Sequence, residues 1–595
     1  MRPLLVLCLA IAFVCANPVQ LEQPSKGCSR VRKPKRAAAS NGGWDGTTSN
    51  VQRGKTGVSA MQLTVVGANS VLILDAAEHN PLKVNRKPVW AQWMNVATGR
   101  NKGLTLQTNS FCGGGTFLGN GTLMSVGGNT AVNDVGDKSG EQALRFFDKC
   151  DDTGCSVQEF PKTLSMTSHR WYPTSIRMPD GSIFIAGGMV GGGFNDATGE
   201  ATNNYEYFPA KNIAGRNGLP IASQFLADAL PSNLFPIIYL LPSNQLFMAA
   251  NKLAMLYDWQ RNQEQRLPGF PTRVNYPWTA ASGLLALRPA NSYTATIAIC
   301  GGSNEDDTVD PTTLSAFAPT VSACYRMDLT SSGIAAGWQN EDPLPGGRVM
   351  GQMVQIPRRE RHGRLRARAV TRNADRADGD VKDTVGASNA RNPSLQPVRY
   401  VPDAPQGQRM STKGIAQTTV PRMYHSSATL LPDGRVMLAG SNPSNDVTTI
   451  RYGTEYRIEY ISPPYIAMPR PAFIGLPGKV DFGSHFALTV ALPAKTAASQ
   501  VSVSMMDLGY STHSLLMNQR LAELVSSLSA DGKTLTVTGP PTPQIYPPGP
   551  AWVFVVANGV PSVGQRVMIG SGAAPPSNLQ ATRNAQRYSA NSPDQ

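Results

Sequence analysis

The sequence predicts an all-β chain: a seven-bladed kelch-type β-propeller followed by a C-terminal Ig-like β-sandwich. Three observations carry this. A hairpin pattern recurs seven times before about residue 460, glycine pairs punctuate it, and after residue 461 the repeat gives way to short strands between Pro/Gly turns.

The repeat unit is an apolar-alternating strand, a Gly/Asn/Asp turn, a second apolar strand and often Gly-Gly. It reads GVSAMQLTVVGANSVLILD (57–75), FCGGGTFLGNGTLMSVGGN (111–129), RWYPTSIRMPDGSIFIAGG (170–188) and FPIIYLLPSNQLFMAAN (235–251). It returns as TAASGLLALRPANSYTATIAICGGSN (279–304), GRVMGQMVQIPRR (347–359) and PRMYHSSATLLPDGRVMLAG (421–440). Seven such units close a ring over 37–460 and leave an axis where first-strand residues meet.

The sixth unit has no second strand of its own. The stretch after it, RRERHGRLRARAVTRNADRADGD (358–380), holds eight arginines over 358–376 against Glu360 and Asp375. Burying even one unpaired charge costs several kcal/mol, so this stretch does not fill a blade. It reads as a local frame or gene-model error; a charged disordered insertion is the other reading.

Beyond the ring, HFALTVALP, QVSVSMMDLG, KTLTVTG and PAWVFVVANG place the Ig-like domain at 461–571, and 572–595 is a polar tail. At the other end, Met1-Arg2, the run PLLVLCLAIAFV and Ala16 make residues 1–16 a secretory signal peptide. Residues 17–36 end in Lys35-Arg36, read as a propeptide cut at a dibasic site or as a solvated basic linker. No later window has the ~20 apolar residues of a membrane span. The expected product is a secreted, extracellular monomer.

The net charge of +14 is concentrated: +6 lies in 1–36 and +6 in 358–376, leaving +2 for the rest. A nucleic-acid role therefore has no footing in the body of the chain. Of the cysteines after the signal, Cys150 with Cys155 and Cys300 with Cys324 read as disulfides. Cys112 is left over, unless it pairs with Cys28.

No GxGxxG follows a strand, so no dinucleotide fingerprint is present. Chemistry must come from side chains at strand starts facing the axis. Cys112 opens the second unit, Tyr172 the third, and Tyr424-His425 the seventh. In the second domain GYSTHSLLMNQR (509–520) carries His513 on a loop that can reach the axis. Two imidazoles with two phenol oxygens form an N2O2 set suited to copper(II). Singly, each residue has a plain reading as core or surface, and a lone cysteine is commonly an inert apolar group.

Together, VPRMYHSSATLLPDG, MTSHRWYPTSIRMPDG, NSFCGGGTFLGNGTLMSVGGN, GYSTHSLLMNQR and YPPGPAWVFVVANGVPSVG resemble the copper radical oxidases. The likeness is greatest to glyoxal oxidase, with galactose oxidase more distant, and runs from about residue 51 to 571 except across 358–380. The resemblance implies copper near the axis, with Tyr172, His425 and His513 as equatorial ligands and Tyr424 as the axial one. It implies a Tyr172–Cys112 cross-linked radical cofactor, Tyr424 as general base, and two-electron oxidation of a small aldehyde by O2 with release of hydrogen peroxide. Galactose oxidase stacks a tryptophan on this tyrosine from just after the third unit's glycines; here that place reads Gly188-Met189-Val190, and Trp171 is the candidate replacement. Asn120-Gly121-Thr122 is a glycosylation sequon that serves equally as a hairpin turn. The rival reading is a catalytically silent kelch propeller that binds cell-wall glycan.

Overall fold

The computed structural model describes residues 4–6, 48–132, 134–191, 200–309, 313–359, 383, 385–386, 388 and 390–590. The 17–36 segment with Cys28, and residues 360–380 of the arginine-rich stretch, lie outside the described residues. Strands dominate; the α-helices among the described residues are Gln224–Asp228, Ser331–Ala336 and Leu579–Ala590.

Six of the seven hairpin repeats supply both inner strands of an antiparallel sheet, and the sixth repeat supplies one. The first sheet holds Gln62–Gly67, Ser70–Leu74, Ala91–Asn95 and Asn101–Leu104, in that order from the inside. The second to fifth begin at Gly114–Phe117, Thr174–Arg177, Ile237–Leu240 and Ala281–Leu284, and each has four strands. The seventh runs from Ser426–Leu430 through Val436–Gly440 and Arg457–Ser462 to Ser49–Lys55, so a strand that precedes the first repeat completes the sheet of the last. Inner strands are buried on both faces, which explains their nearly continuous apolar runs.

Polar contacts join neighbouring sheets in a cycle. Gln62 donates to Ser110 O (2.6 Å), Gly119 N–H to Gly181 O (2.8 Å), Thr174 to Pro236 O (2.6 Å), and Tyr239 OH lies 2.9 Å from Ser282 Oγ. Gln355 donates to Leu284 O, Ala428 N–H to Gln352 Oε1 (2.6 Å), and Ser427 returns to Met61 O in the first sheet (2.8 Å). The Pro-Asp-Gly turns fit this closeness. Gly181 has φ +80°, and a Cβ on it would lie 2.8 Å from the Gly119 backbone.

A set of buried arginines, not singled out by the sequence, ties strand ends to the axis loops. Arg145, Arg170 and Arg422 donate to the carbonyls of Gly127, Gly187 and Gly440. Glu206 pairs with Arg170 at 2.7 Å and Glu459 with Arg422 at 3.2 Å. These are the carbonyls of the glycines that punctuate the repeat, so the Gly-Gly signal marks an arginine socket as well as a turn.

The sixth sheet keeps the gap that the sequence shows. Its order is Gln355–Arg359, then Leu4–Val6, then Arg399–Tyr400 and Met410–Ser411. The second position is thus filled by part of the N-terminal apolar run, and removal of residues 1–16 would take that strand away.

After Ser462 two sheets face each other. One is Ala472–Ile474, His485–Ala491, Thr534–Thr538 and Ser526–Leu528; the other is Lys479–Val480, Gln565–Ile569, Gly549–Ala557, Val501–Asp507 and Arg520–Leu524. Leu488, Val490 and Val537 from the first pack with Val503, Val553 and Val567 from the second. The tail is not all irregular. Leu579–Ala590 is a helix whose Ser589 and Asn584 bond to Ser165 (2.5 Å) and to Asn217 O (3.0 Å). Disulfides join Cys150–Cys155 and Cys300–Cys324.

Candidate metal centre

Four of the five singled-out residues have left-handed backbone: Cys112 (φ +54°), Tyr172 (+63°), His425 (+64°) and His513 (+44°). Such conformations cost on the order of 1–3 kcal/mol each for non-glycine residues and gather at functional sites. Here the cause is architectural. Cys112, Tyr172 and His425 each stand one or two residues before an inner strand, where the turn aims the side chain at the others of the group. Phe235 (φ +47°) has the same place before the fourth sheet. The backbones are laced together, Tyr172 N–H to Cys112 O (3.3 Å) and Phe235 N–H to Tyr172 O (3.0 Å).

The loop that carries His513 is the turn of a hairpin. Tyr510–Thr512 pairs with the first sheet's inner strand, Leu63 opposite Ser511, and Leu515–Met517 returns beside it. His513 and Ser514 (φ +44° and +78°) are the two-residue turn of this hairpin. The second domain therefore extends a sheet of the first, which fixes where the imidazole lands.

All five side chains converge in a buried cluster. Cys112 Sγ lies 3.1 Å from His513 Nε2, 3.8 Å from His425 Nε2 and 3.9 Å from the Tyr424 hydroxyl. The Tyr172 and Tyr424 oxygens are 3.4 Å apart. The His425 Nδ1–H donates to Asn442 O at 2.8 Å, which leaves Nε2 with a lone pair facing the cluster. His513 Nδ1 is bonded to the Thr512 hydroxyl at 2.7 Å. Burial pushes His425 down to about 3 and His513 well below its ordinary range. Both imidazoles are neutral at physiological pH, the form a metal needs.

Rings wall the cluster. Trp171 stacks on Tyr172 (centroids 4.6 Å apart, 26° between planes), as does Tyr276 (4.4 Å, 25°). Phe111 meets His425 edge-on at 5.1 Å, and Phe235 packs on His513 at 4.8 Å. Trp171 and Met189 exchange backbone hydrogen bonds of 2.9 Å in both directions. The residue that follows the third unit's glycines is thus a neighbour of Trp171, although it carries no ring.

A model of the glyoxal oxidase N-terminus matches residues 84–465, and one of the galactose oxidase-like early set domain matches 470–569. An aldehyde oxidase GLOX of Vitis pseudoreticulata is 32% identical over 543 residues, 86% of this chain and 95% of that one. The chain belongs to the glyoxal oxidase family. The aldehyde oxidase GLOX1 of Arabidopsis thaliana is 31% identical over 508 residues, 82% of this chain and 76% of its own. A fungal alcohol oxidase of the AA5 family, solved in complex with copper, superposes with a TM-score of 0.61 at 17% identity, covering 88% of this chain and 99% of that one. At that identity the likeness is one of fold.

Glyoxal oxidase family members are copper radical oxidases, and the donor set here fits that metal. It offers two neutral imidazoles, two phenol oxygens and one sulfur in a buried site, and among the described residues no carboxylate of the kind that calcium or magnesium would require joins the group. Sequence reasoning missed Tyr276, Asn442 and Thr512. Tyr276 stands five residues before the fifth sheet in NYPW, and its signal would have been a phenol at the axial end of a repeat. Asn442 follows the seventh unit's strand pair, and nothing in its local pattern marks its carbonyl as a partner of His425.

Asn442 also links the site to buried acids. Its side chain donates to Glu78 Oε2 at 2.8 Å, and burial pushes the neighbouring Asp75 up to about 7. Unfolded Asp75 ionises near 3.8 while folded Asp75 stays protonated to about 7, so stability is lost as pH rises between these values. Asp75→Asn should therefore raise stability above pH 7 by on the order of 2–4 kcal/mol, with no gain below pH 4. Chemical denaturation at both pH values reads this out; an equal effect at each would refute it.

Proposed function

We propose that this chain is a secreted copper radical oxidase that converts small aldehydes, such as glyoxal and methylglyoxal, to carboxylic acids with reduction of O2 to H2O2. The observation that carries the reading is the convergence of Tyr172, Tyr424, His425, His513 and Cys112 from four separated stretches at one buried point. The cyclic order of sheet contacts supports a closed seven-bladed kelch-type propeller over 37–460, and the facing sheets support an Ig-like domain over 461–571.

His425 and His513 would hold copper through Nε2, with Tyr172 and Tyr424 through their oxygens. Copper would supply one electron acceptor and a positive charge that draws in the substrate oxygen. The Tyr172 ring, joined to Cys112 through sulfur, is the second one-electron acceptor. Tyr424 takes the hydroxyl proton of the hydrated aldehyde as general base. Tyr172 takes the hydrogen from carbon. The hydrate thus loses two electrons and two protons to become the acid, and O2 gains them to become H2O2. Trp171 would shield the radical ring.

Purified protein should bind one copper per chain and release peroxide when given glyoxal and O2. Copper-free protein that binds cell-wall glycan and makes no peroxide would favour the silent propeller, the reading prompted by a sixth repeat that lacks a second strand of its own.

A further inference from the structure

Tyr276 lies fully buried at the start of the fifth sheet, and the roles assigned above leave it unused. Its ring and that of Trp171 are both nearly parallel to Tyr172, with centroids 4.4 and 4.6 Å away. Two six-membered rings side by side on one face would clash at those distances, so they occupy opposite faces. The Tyr276 oxygen is 3.2 Å from the Tyr172 oxygen and 3.3 Å from that of Tyr424, and Tyr424 is the donor in the second contact. When Tyr424 carries its proton and donates it to Tyr276, the Tyr276 O–H can point at the Tyr172 oxygen.

We propose that Tyr276 is a positioning residue for the Tyr172 radical, its ring closing the face opposite Trp171 and its hydroxyl donating to the Tyr172 oxygen. The inference rests on the radical reading of the site. Oxidation takes one electron from the cross-linked Tyr172 phenolate, whose oxygen goes from negative to neutral, and no proton moves. A donor to that oxygen stabilises the negative form more than the neutral one and so makes oxidation harder. The two parts of Tyr276 then have separable effects. The hydroxyl sets the potential, and the ring sets the lifetime of the radical by keeping water and other reductants off one face.

The test uses full-length copper-loaded protein, oxidised with ferricyanide and followed by the radical's optical absorption. In Tyr276→Phe the stack stays and the hydrogen bond goes. The ferricyanide-to-ferrocyanide ratio needed for half-oxidation should fall about tenfold, the size of one hydrogen bond to a charged group, with lifetime unchanged. In Tyr276→Leu the ring also goes, and the radical should decay at least about tenfold faster than in Tyr276→Phe. If Tyr276→Leu fails to fold, the Tyr276→Phe titration decides alone. Unaltered protein with no oxidisable ring would overturn the radical reading and this inference with it. An unaltered protein that forms the radical, beside variants that titrate and decay identically, would overturn this inference only.

Discussion

His513→Asn should yield a protein that is more stable without metal than the unaltered chain, yet copper-deficient and inactive. The turn at His513-Ser514 has φ of +44° and +78°, the pattern for which Asn-Gly is preferred. Asparagine tolerates left-handed backbone better than histidine does, and strain of this kind costs on the order of 1–3 kcal/mol. The hairpin itself is held by Tyr510–Thr512 against the first sheet, so the substitution leaves its pairing intact. Removing the imidazole takes away a donor that the rest of the cluster cannot replace. The loss in turnover should exceed the ~10–100-fold that follows from removing a partner behind a metal ligand. Thr512→Val, which removes the hydroxyl bonded to His513 Nδ1, supplies that smaller comparison. Copper stoichiometry, glyoxal-dependent peroxide release and metal-free melting separate the effects. Full copper and full turnover in His513→Asn would show that this imidazole is not a ligand.

Much of this arrangement is legible in sequence because the repeat is legible. Alternating apolar strands with Pro-Asp-Gly turns locate the inner strands, and residues just upstream of them must approach the axis. That is why Cys112, Tyr172 and Tyr424-His425 could be singled out before any distance was known. The arginine sockets were not legible, because Arg145 sits on a third strand and Arg170 and Arg422 in the segments before inner strands, and each reaches a carbonyl 17 or 18 residues away. Tyr276 was missed for a related reason: NYPW has neither the glycine punctuation nor the strand alternation that marks a unit. His513 was found by its histidine alone. What sequence pattern could not supply was the means of its placement, a register between strands more than 400 positions apart (Leu63 and Ser511). The helix at Leu579–Ala590 escaped because its residues are polar; its docking buries Ala581 and Ser589 rather than a broad apolar stripe.

Cys112 and Tyr172 should become covalently joined when the protein meets copper and O2, and Cys112→Ala should lose more than about three orders of magnitude in turnover, above ~4 kcal/mol in barrier. Cys112 lies in neither disulfide and is fully buried, in a chain whose other described cysteines are oxidised. The two residues precede adjacent sheets and share a backbone hydrogen bond, and the sulfur and the ring both contact Tyr424 and His513. Before the bond forms, Sγ lies 3.1 Å from His513 Nε2, where it competes with the phenol oxygens for a metal. Forming the thioether removes one hydrogen from sulfur and one from the ring carbon beside the phenol oxygen, as two electrons and two protons passed to O2. It takes the thiol out of competition and leaves an electron-rich sulfur on the ring, which makes that ring easier to oxidise than an ordinary tyrosine. Tyr172→Phe should be inactive as well, since it removes the ligand oxygen while keeping the stack between Trp171 and Tyr276. Mass analysis of digested, copper-treated protein should find the Cys112 and Tyr172 peptides linked with two hydrogens lost. A Cys112 thiol that remains fully alkylatable after denaturation, in protein that turns over glyoxal at full rate, would end the cross-link proposal.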